Sequence, residues 1–252
     1  MRTTAIINLK GGVAKTTTTV NMAAILAWEH SKSVLVIDAD SQCNTTDFFG
    51  GTKPGSCTLS DLLRGTDTNE VDLDAYYEDI ELLPADNDLM DMDLSKVENQ
   101  QVDILCLQKL LRELDGRWDN VLIDCPPAFN AASAAALLAA DDVIIPIKLD
   151  AFAIQSMANL MRQIENMKKV NSKLKVAGIL PVMWYKAEQI TEAENALKAS
   201  GLPLFTHVRR SPTVDAMTYA QEPLFLCSPK SGALRDYRRV TAQYLIGGDK
   251  NV

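Results

Sequence analysis

The stretch Lys10-Gly11-Gly12-Val13-Ala14-Lys15-Thr16-Thr17 constrains this 252-residue chain more than any other. It follows an apolar run at 4–8 and precedes Val20-Asn21-Met22-Ala23-Ala24-Ile25-Leu26-Ala27, a run of helix formers. A glycine-rich turn between a strand and a helix lets several backbone N–H groups face one anion, and the helix N-terminus adds a positive partial charge. Gly11 and Gly12 supply the freedom that turn needs. Lys15 would reach the β- and γ-phosphates of a nucleotide, and the Thr16 hydroxyl would ligate the Mg2+ that bridges them. The bland alternative is a Gly-Gly turn with no ligand, and the flanking strand and helix weigh against it.

Apolar runs bounded by turns recur at 4–8, 34–38, 80–83, 120–124, 143–147 and 175–180, and these are expected strands. Helical spacing occupies 16–30, 102–114, 130–140, 154–170 and 187–199. Strands alternating with helices predict an α/β fold, a doubly wound and mostly parallel sheet covered on both faces, formed as one domain over 1–252. Val34-Leu35-Val36-Ile37 and Val121-Leu122-Ile123 are nearly continuous in apolarity, as central strands buried on both sides are, and both end in aspartate. Ligands of open α/β sheets sit at the carboxyl ends of the strands, so Asp38, Asp40 and Asp124 are expected to converge on the loop at 10–17. A single aspartate there would be an ordinary turn residue; two at strand-end spacing are less so.

Hydrophobic residues make up 47% of the chain and charged residues 23%, which excludes a mainly disordered chain. The opening apolar run is too short for a signal peptide and no later one reaches membrane-spanning length, so a cytosolic protein without a membrane partner is expected. Five scattered cysteines without a C-x-x-C pair suggest small buried thiols, with neither a disulfide framework nor a zinc site. The net charge of −8 is uneven: residues 67–98 hold twelve acids against one lysine, whereas 207–240 hold six Arg or Lys against three acids.

The general phosphate-loop pattern G-x-x-x-x-G-K-[ST] is not met, because Leu9 and Ala14 occupy its glycine positions. The loop matches instead the deviant form K-G-G-x-G-K-[ST], with Ala14 the one departure, and alanine adds strain there if the backbone needs a positive φ. With this loop, Val36-Ile37-Asp38-Ala39-Asp40-Ser41-Gln42-Cys43-Asn44-Thr45-Thr46 resembles the switch segment D-x-D-P-Q-x-N-x-T of the ParA/MinD family of deviant Walker A P-loop ATPases. Ser41 stands where proline is usual. Trp118-Asp119-Asn120-Val121-Leu122-Ile123-Asp124-Cys125-Pro126-Pro127 resembles the family's Walker B strand. Residues 139–147 and Ser228-Pro229-Lys230-Ser231-Gly232-Ala233 resemble ParA-type partition proteins in the same order. The chain starts directly at the first strand, so the shorter ParA type, without a helix-turn-helix extension, is expected.

That resemblance implies ATP and Mg2+ as cofactors and slow hydrolysis to ADP and phosphate. Residues 10–17 would hold the nucleotide, Thr16 and Asp124 the metal with Asp38 supporting it, and Asp40 would orient the attacking water. Lys10 would reach across an ATP-dependent homodimer to the other subunit's nucleotide. It further implies DNA binding without sequence preference, by Arg209 and Arg210 ahead of a helix at 212–220 and by Lys230, Arg235, Arg238 and Arg239 beyond it. Asp236 makes local ion pairing the alternative for some of these. A ParB-like centromere-binding protein would be the partner, its basic arm suited to the acidic stretch 67–98, and the ATP-bound protein would sit on the nucleoid in partition of a plasmid or chromosome. Three rivals share the loop, with a non-enzymatic nucleotide switch as a last alternative. A MinD-like membrane cycler needs a basic amphipathic C-terminus, which Leu245-Ile246-Gly247-Gly248-Asp249-Lys250-Asn251-Val252 does not offer. An electron-transfer relative needs cluster cysteines, and Cys125 stands alone. An ATP-dependent synthase or ligase is separated by its dependence on a metabolite instead of DNA.

Overall fold

The computed structural model describes residues 1–68, 71, 73–77, 79–99, 101–150 and 153–249. The first half runs β1 (Arg2–Ile6), α1 (Lys15–His30), β2 (Val34–Asp38), α2 (Asn44–Phe48), α3 (Leu59–Leu63), β3 (Asp74–Tyr77), β4 (Ile80–Leu83), a 3-10 turn at Asn87–Asp91, α4 (Leu94–Glu98) and α5 (Cys106–Glu113). Then come β5 (Asn120–Asp124), α6 (Ala131–Ala139), β6 (Asp142–Lys148), α7 (Ala153–Lys168), β7 (Lys175–Val182), α8 (Glu188–Ala199), α9 (Pro212–Ala220), α10 (Leu224–Cys227) and α11 (Gly232–Asp249). The sheet has the order β3-β4-β2-β5-β1-β6-β7, parallel throughout except that β3 pairs antiparallel with β4 at one edge. The α/β, doubly wound, mostly parallel architecture is therefore as expected.

Alternation along the central strands explains the two helical layers. Ala5, Ile7, Leu35, Ile37, Val121 and Ile123 face one core with Leu107, Leu110, Ala135 and Leu160 of α5, α6 and α7. Ile6, Val34, Val36, Leu122 and Ile144 face a second core with Val20, Ile25 and Leu26 of α1 and Leu234, Tyr237 and Tyr244 of α11. Each such side chain contributes roughly 1.5–3 kcal/mol when fully buried, so neither face tolerates solvent.

Several expected boundaries shift. β1 ends at Ile6 instead of residue 8, because the Asn8 amide turns aside to donate to Pro146 O at 2.7 Å while its oxygen accepts from Lys10 N at 3.0 Å. Asn8 thus anchors the loop instead of extending the strand. The helix expected over 102–114 starts only at Cys106, since the Asp103 carboxylate accepts from Leu105 N at 2.9 Å and turns the preceding segment. β3 was not anticipated, because its residues lie in the acidic stretch. Of that stretch, residues 69, 70, 72 and 78 lie outside the described residues. Several remaining acids serve local structure: Asp86 accepts from the Thr58 and Ser60 hydroxyls at 2.6 Å each, and Asp93 caps α4. Cys106 and Cys125 are buried, but Cys43, Cys57 and Cys227 are only half-buried, on loops and a short helix at the rim. Among the described residues no helix is long and apolar enough to cross a membrane.

The last helix is tied to the first strand and the first helix. The Tyr244 hydroxyl pairs with Thr4 Oγ1 at 2.8 Å and accepts from Asn120 Nδ2 at 3.2 Å, while the Arg2 guanidinium lies 3.8 Å from the centre of the Tyr244 ring. The Tyr237 hydroxyl lies 3.4 Å from Thr18 Oγ1 on α1.

Candidate functional site

Strand register assembles the acidic half of the site. Asp124 at the end of β5 lies level with Ile6 on β1 and with Asp38 on β2. The Thr16 and Thr45 hydroxyls both donate to Asp124 Oδ2 at 2.6 Å, whereas Asp124 Oδ1 is buried with no hydrogen-bond partner among the described residues. Asp38 differs. Its Oδ2 accepts from Thr46 N and Thr46 Oγ1, each at 2.8 Å, and its Oδ1 accepts from Asp40 N at 3.0 Å. Asp38 is thus engaged in holding the segment after β2, while Asp124 keeps an oxygen for a further partner. Asp40 accepts from Gln42 N at 3.1 Å.

Burial, followed by the Asp124 charge, pushes the Asp38 carboxyl up to about 7. Burial likewise pushes Asp124 up to about 6, against the hydrogen bonds of Thr16 and Thr45 and the charge of Lys15. Burial lowers Lys15, opposed by Asp124 and Asp40. Two buried carboxylates beside one buried lysine form a site whose ionisation a divalent cation would favour. The orphaned Asp124 Oδ1 beside the Thr16 hydroxyl fits Mg2+ with its water shell.

The loop supplies the other half. α1 begins with no side-chain cap, so its first N–H groups remain available to an anion. Open space surrounds both Gly11 and Gly12, and Gly12 has φ +69. Lys15 is buried and its Nζ lies 3.4 Å from Lys10 O, folded back over the loop. Ala14, the departure from the deviant pattern, has φ 59 and ψ 34, a left-handed conformation that penalises Cβ. Ala14→Gly is accordingly expected to stabilise the chain by about 0.5–1 kcal/mol, the relief of that strain exceeding the added entropy of the unfolded chain. In thermal melts this is a rise of roughly 1–4 °C, and an unchanged or lower midpoint would show that Ala14 is not strained.

Lys10 does not lie against the loop but pairs with Asp150 of the same chain, Nζ to Oδ2 at 2.5 Å, with side chains 33% and 29% exposed. The expected basic residues divide into two kinds. Arg209, its side chain still 47% exposed, pairs with Asp236 and Arg238 pairs with Glu29, whereas Arg210, Lys230 and Arg235 are exposed without an ion pair among the described residues, and Arg239 is exposed. Arg239 comes only within 4.0 Å of Asp236.

Beside the loop lies a groove of about 350 Å³ that sequence reasoning missed. Ala14, Val182, Met183, Val208 and Val214 line it together with the charged Lys148, Arg209, Arg210 and Asp215. Its size and mixed lining suit a nucleobase next to a phosphate cradle. It comes from five distant segments, so no local pattern announces it; a local sign is Pro212 at the first position of α9 behind the Ser211 cap.

Comparison with known proteins places the chain among relatives of the same fold. The AAA domain family matches residues 1–176. The chromosome partitioning protein ParA of Caulobacter vibrioides is 34% identical over 198 residues, which cover 76% of this chain and 73% of that protein. Among solved structures, apo McdA from Cyanothece superposes with a TM-score of 0.85 at 24% identity, over 97% of this chain and 99% of that one. Cobyrinic acid a,c-diamide synthase from Mycobacterium smegmatis, with bound ADP and magnesium, superposes with a TM-score of 0.84 at 26% identity, over 100% of this chain and 96% of that one.

Proposed function

Because the chain belongs to the ParA/MinD family of P-loop ATPases, we propose that it is an ATP-driven DNA-partition switch, which dimerises on binding ATP, holds DNA without sequence preference, and hydrolyses ATP when a ParB-like centromere-binding partner stimulates it. What supports the reading is one convergence: the uncapped α1 N-terminus, Lys15, Thr16 and the orphaned Asp124 oxygen meet at a single point beside a groove. The N–H groups at 11–17 and Lys15 hold the phosphates, the groove takes the base, and Thr16 and Asp124 hold Mg2+, with Asp38 fixing the segment that carries Asp40. Bound Mg2+ supplies the charge that offsets the triphosphate and the buried carboxylates. Asp40 orients the attacking water. Lys10 exchanges its half-exposed pairing with Asp150 for the partner subunit's nucleotide, and a pair so open to solvent costs about 1 kcal/mol or less to break.

Phosphate contacts suffice for DNA binding of this kind; Arg209, Arg210, Lys230, Arg235 and Arg239 are all exposed, and of these Arg210, Lys230 and Arg235 make no ion pair among the described residues. Duplex binding with ATP is expected to fall steeply with salt, and Arg210→Ala and Lys230→Ala each to reduce the log–log slope by about 0.9. A flat response in an anisotropy titration, with and without ATP, would remove DNA from the reading.

A second reading, an ATP-dependent synthase, draws on the likeness to the diamide synthase. Turnover stimulated by duplex DNA and a partner protein supports partition, and turnover that requires a small carboxylate substrate supports the synthase.

A further inference from the structure

The contact between Arg209 and Asp236 lies where the nucleotide groove meets the basic face. Asp236 is 3% exposed, on the second turn of α11, and accepts three donors from one residue. Arg209 Nε reaches Oδ2 at 2.6 Å, Arg209 Nη2 reaches Oδ1 at 2.9 Å, and Arg209 N reaches Oδ2 at 3.1 Å. α11 starts with Gly232, and a Cβ there would stand 2.9 Å from Arg209 Nη1, so glycine leaves room for the guanidinium to cross the helix. Arg210, next in the chain, makes no ion pair among the described residues, nor do Lys230 and Arg235.

We propose that Asp236 is a built-in restraint on DNA binding: its buried carboxylate holds Arg209 against α11 and withholds that guanidinium from phosphate, leaving Arg210, Lys230 and Arg235 to make the contacts. The inference rests on the reading that this face binds DNA. A phosphate that captured Arg209 would strand a buried carboxylate without a partner, and that penalty outweighs one more contact on a solvated surface. The bidentate geometry adds to the hold, since both nitrogens on one edge of the fork are engaged. The pair fixes the arginine that a sequence reading would first assign to DNA.

The test is duplex binding across a salt series by wild type, D236N, R209A and the double variant R209A/D236N. Asparagine keeps the shape and an acceptor but not the charge, so Arg209 gains freedom to reach phosphate. D236N is expected to bind about fivefold to tenfold more tightly near 0.1 M salt, with a slope steeper by ~0.9. The double variant is expected to bind within about twofold of wild type, because it removes no contact that wild type makes with DNA and leaves no buried charge unpaired, and R209A, which strands the Asp236 carboxylate, is expected to bind the same at temperatures below its lowered melting midpoint. Wild-type binding with no gain in D236N overturns the restraint, as does weakening by R209A to the extent seen with Arg210→Ala. Should D236N fail to fold, the double variant, which buries neither charge, still decides, since loss of binding there means that Arg209 already contacts DNA. No binding by wild type or D236N at any salt overturns the DNA reading itself, an outcome distinct from failure of the restraint alone.

Discussion

Lys10→Ala is expected to abolish the ATP-dependent dimer while leaving ATP affinity within a few-fold, and Asp40→Ala to keep the dimer while lowering turnover roughly a hundredfold or more. Lys10 is held on Asp150 in a partly exposed pair, which costs about 1 kcal/mol or less to exchange for another partner. A charge-assisted contact to the partner's phosphate is stronger than that half-exposed pair, and its loss shifts the monomer–dimer equilibrium tenfold for each ~1.4 kcal/mol removed. Asp40 is buried beside Lys15 on a segment that Asp38 and Thr46 hold rigidly, which suits a group that positions water instead of gripping ligand. Light scattering with ATP reads the first effect and phosphate release the second. A lysine variant that still dimerises with ATP would remove its role across the interface, and an alanine variant at 40 with full turnover would remove Asp40 from the chemistry.

Most of this site could be read in the sequence because each part is local. β2 and β5 fall where continuous apolar runs ending in aspartate predict them, since burial on both faces leaves no polar position to blur the boundary. Ala14 could be singled out from its pattern position alone, and its left-handed backbone follows the glycine it replaces. What escaped was assembled from distant residues. The groove draws on residues 14, 182, 208 and 212, and the Asp236 hold on Arg209 joins positions 27 apart. Lys10 and Asp150 lie 140 apart, so the lysine's resting partner left no trace in local spacing. α11 was read only as a basic segment, because its polar residues and two late glycines obscure the stripe of Leu234, Tyr237, Val240 and Tyr244 that binds it to α1 and the sheet.

Asp124→Asn is expected to remove the Mg2+ dependence of nucleotide binding and, at the same time, to stabilise the metal-free chain at neutral pH. The sign follows from the direction of the shift. Burial raises Asp124 to about 6 and, with the charge of Asp124, Asp38 to about 7, so both are harder to ionise in the folded state than in the unfolded one. Their contribution to stability is therefore fullest below about pH 4 and is lost as pH rises through 6 to 7, opposite to the usual carboxylate. Asparagine at 124 keeps an acceptor for the Thr16 and Thr45 hydroxyls but carries no charge, which relieves its own desolvation and lets Asp38 ionise more easily. A gain of roughly 1–3 kcal/mol near pH 7.5 is expected in EDTA, shrinking toward pH 4. Mg2+ with ATP should stabilise wild type far more than the variant, because the variant no longer offers the anionic oxygen that the cation needs. Melts across pH, in EDTA and in Mg2+ with ATP, separate the two effects. Wild type that gains stability from pH 5 to 7.5 more than the variant does would mean that Asp124 is already compensated within the chain, and a metal-dependent gain retained in full by the variant would place the cation elsewhere. The buried charge that would be costly without a cation is the same charge that would bind one.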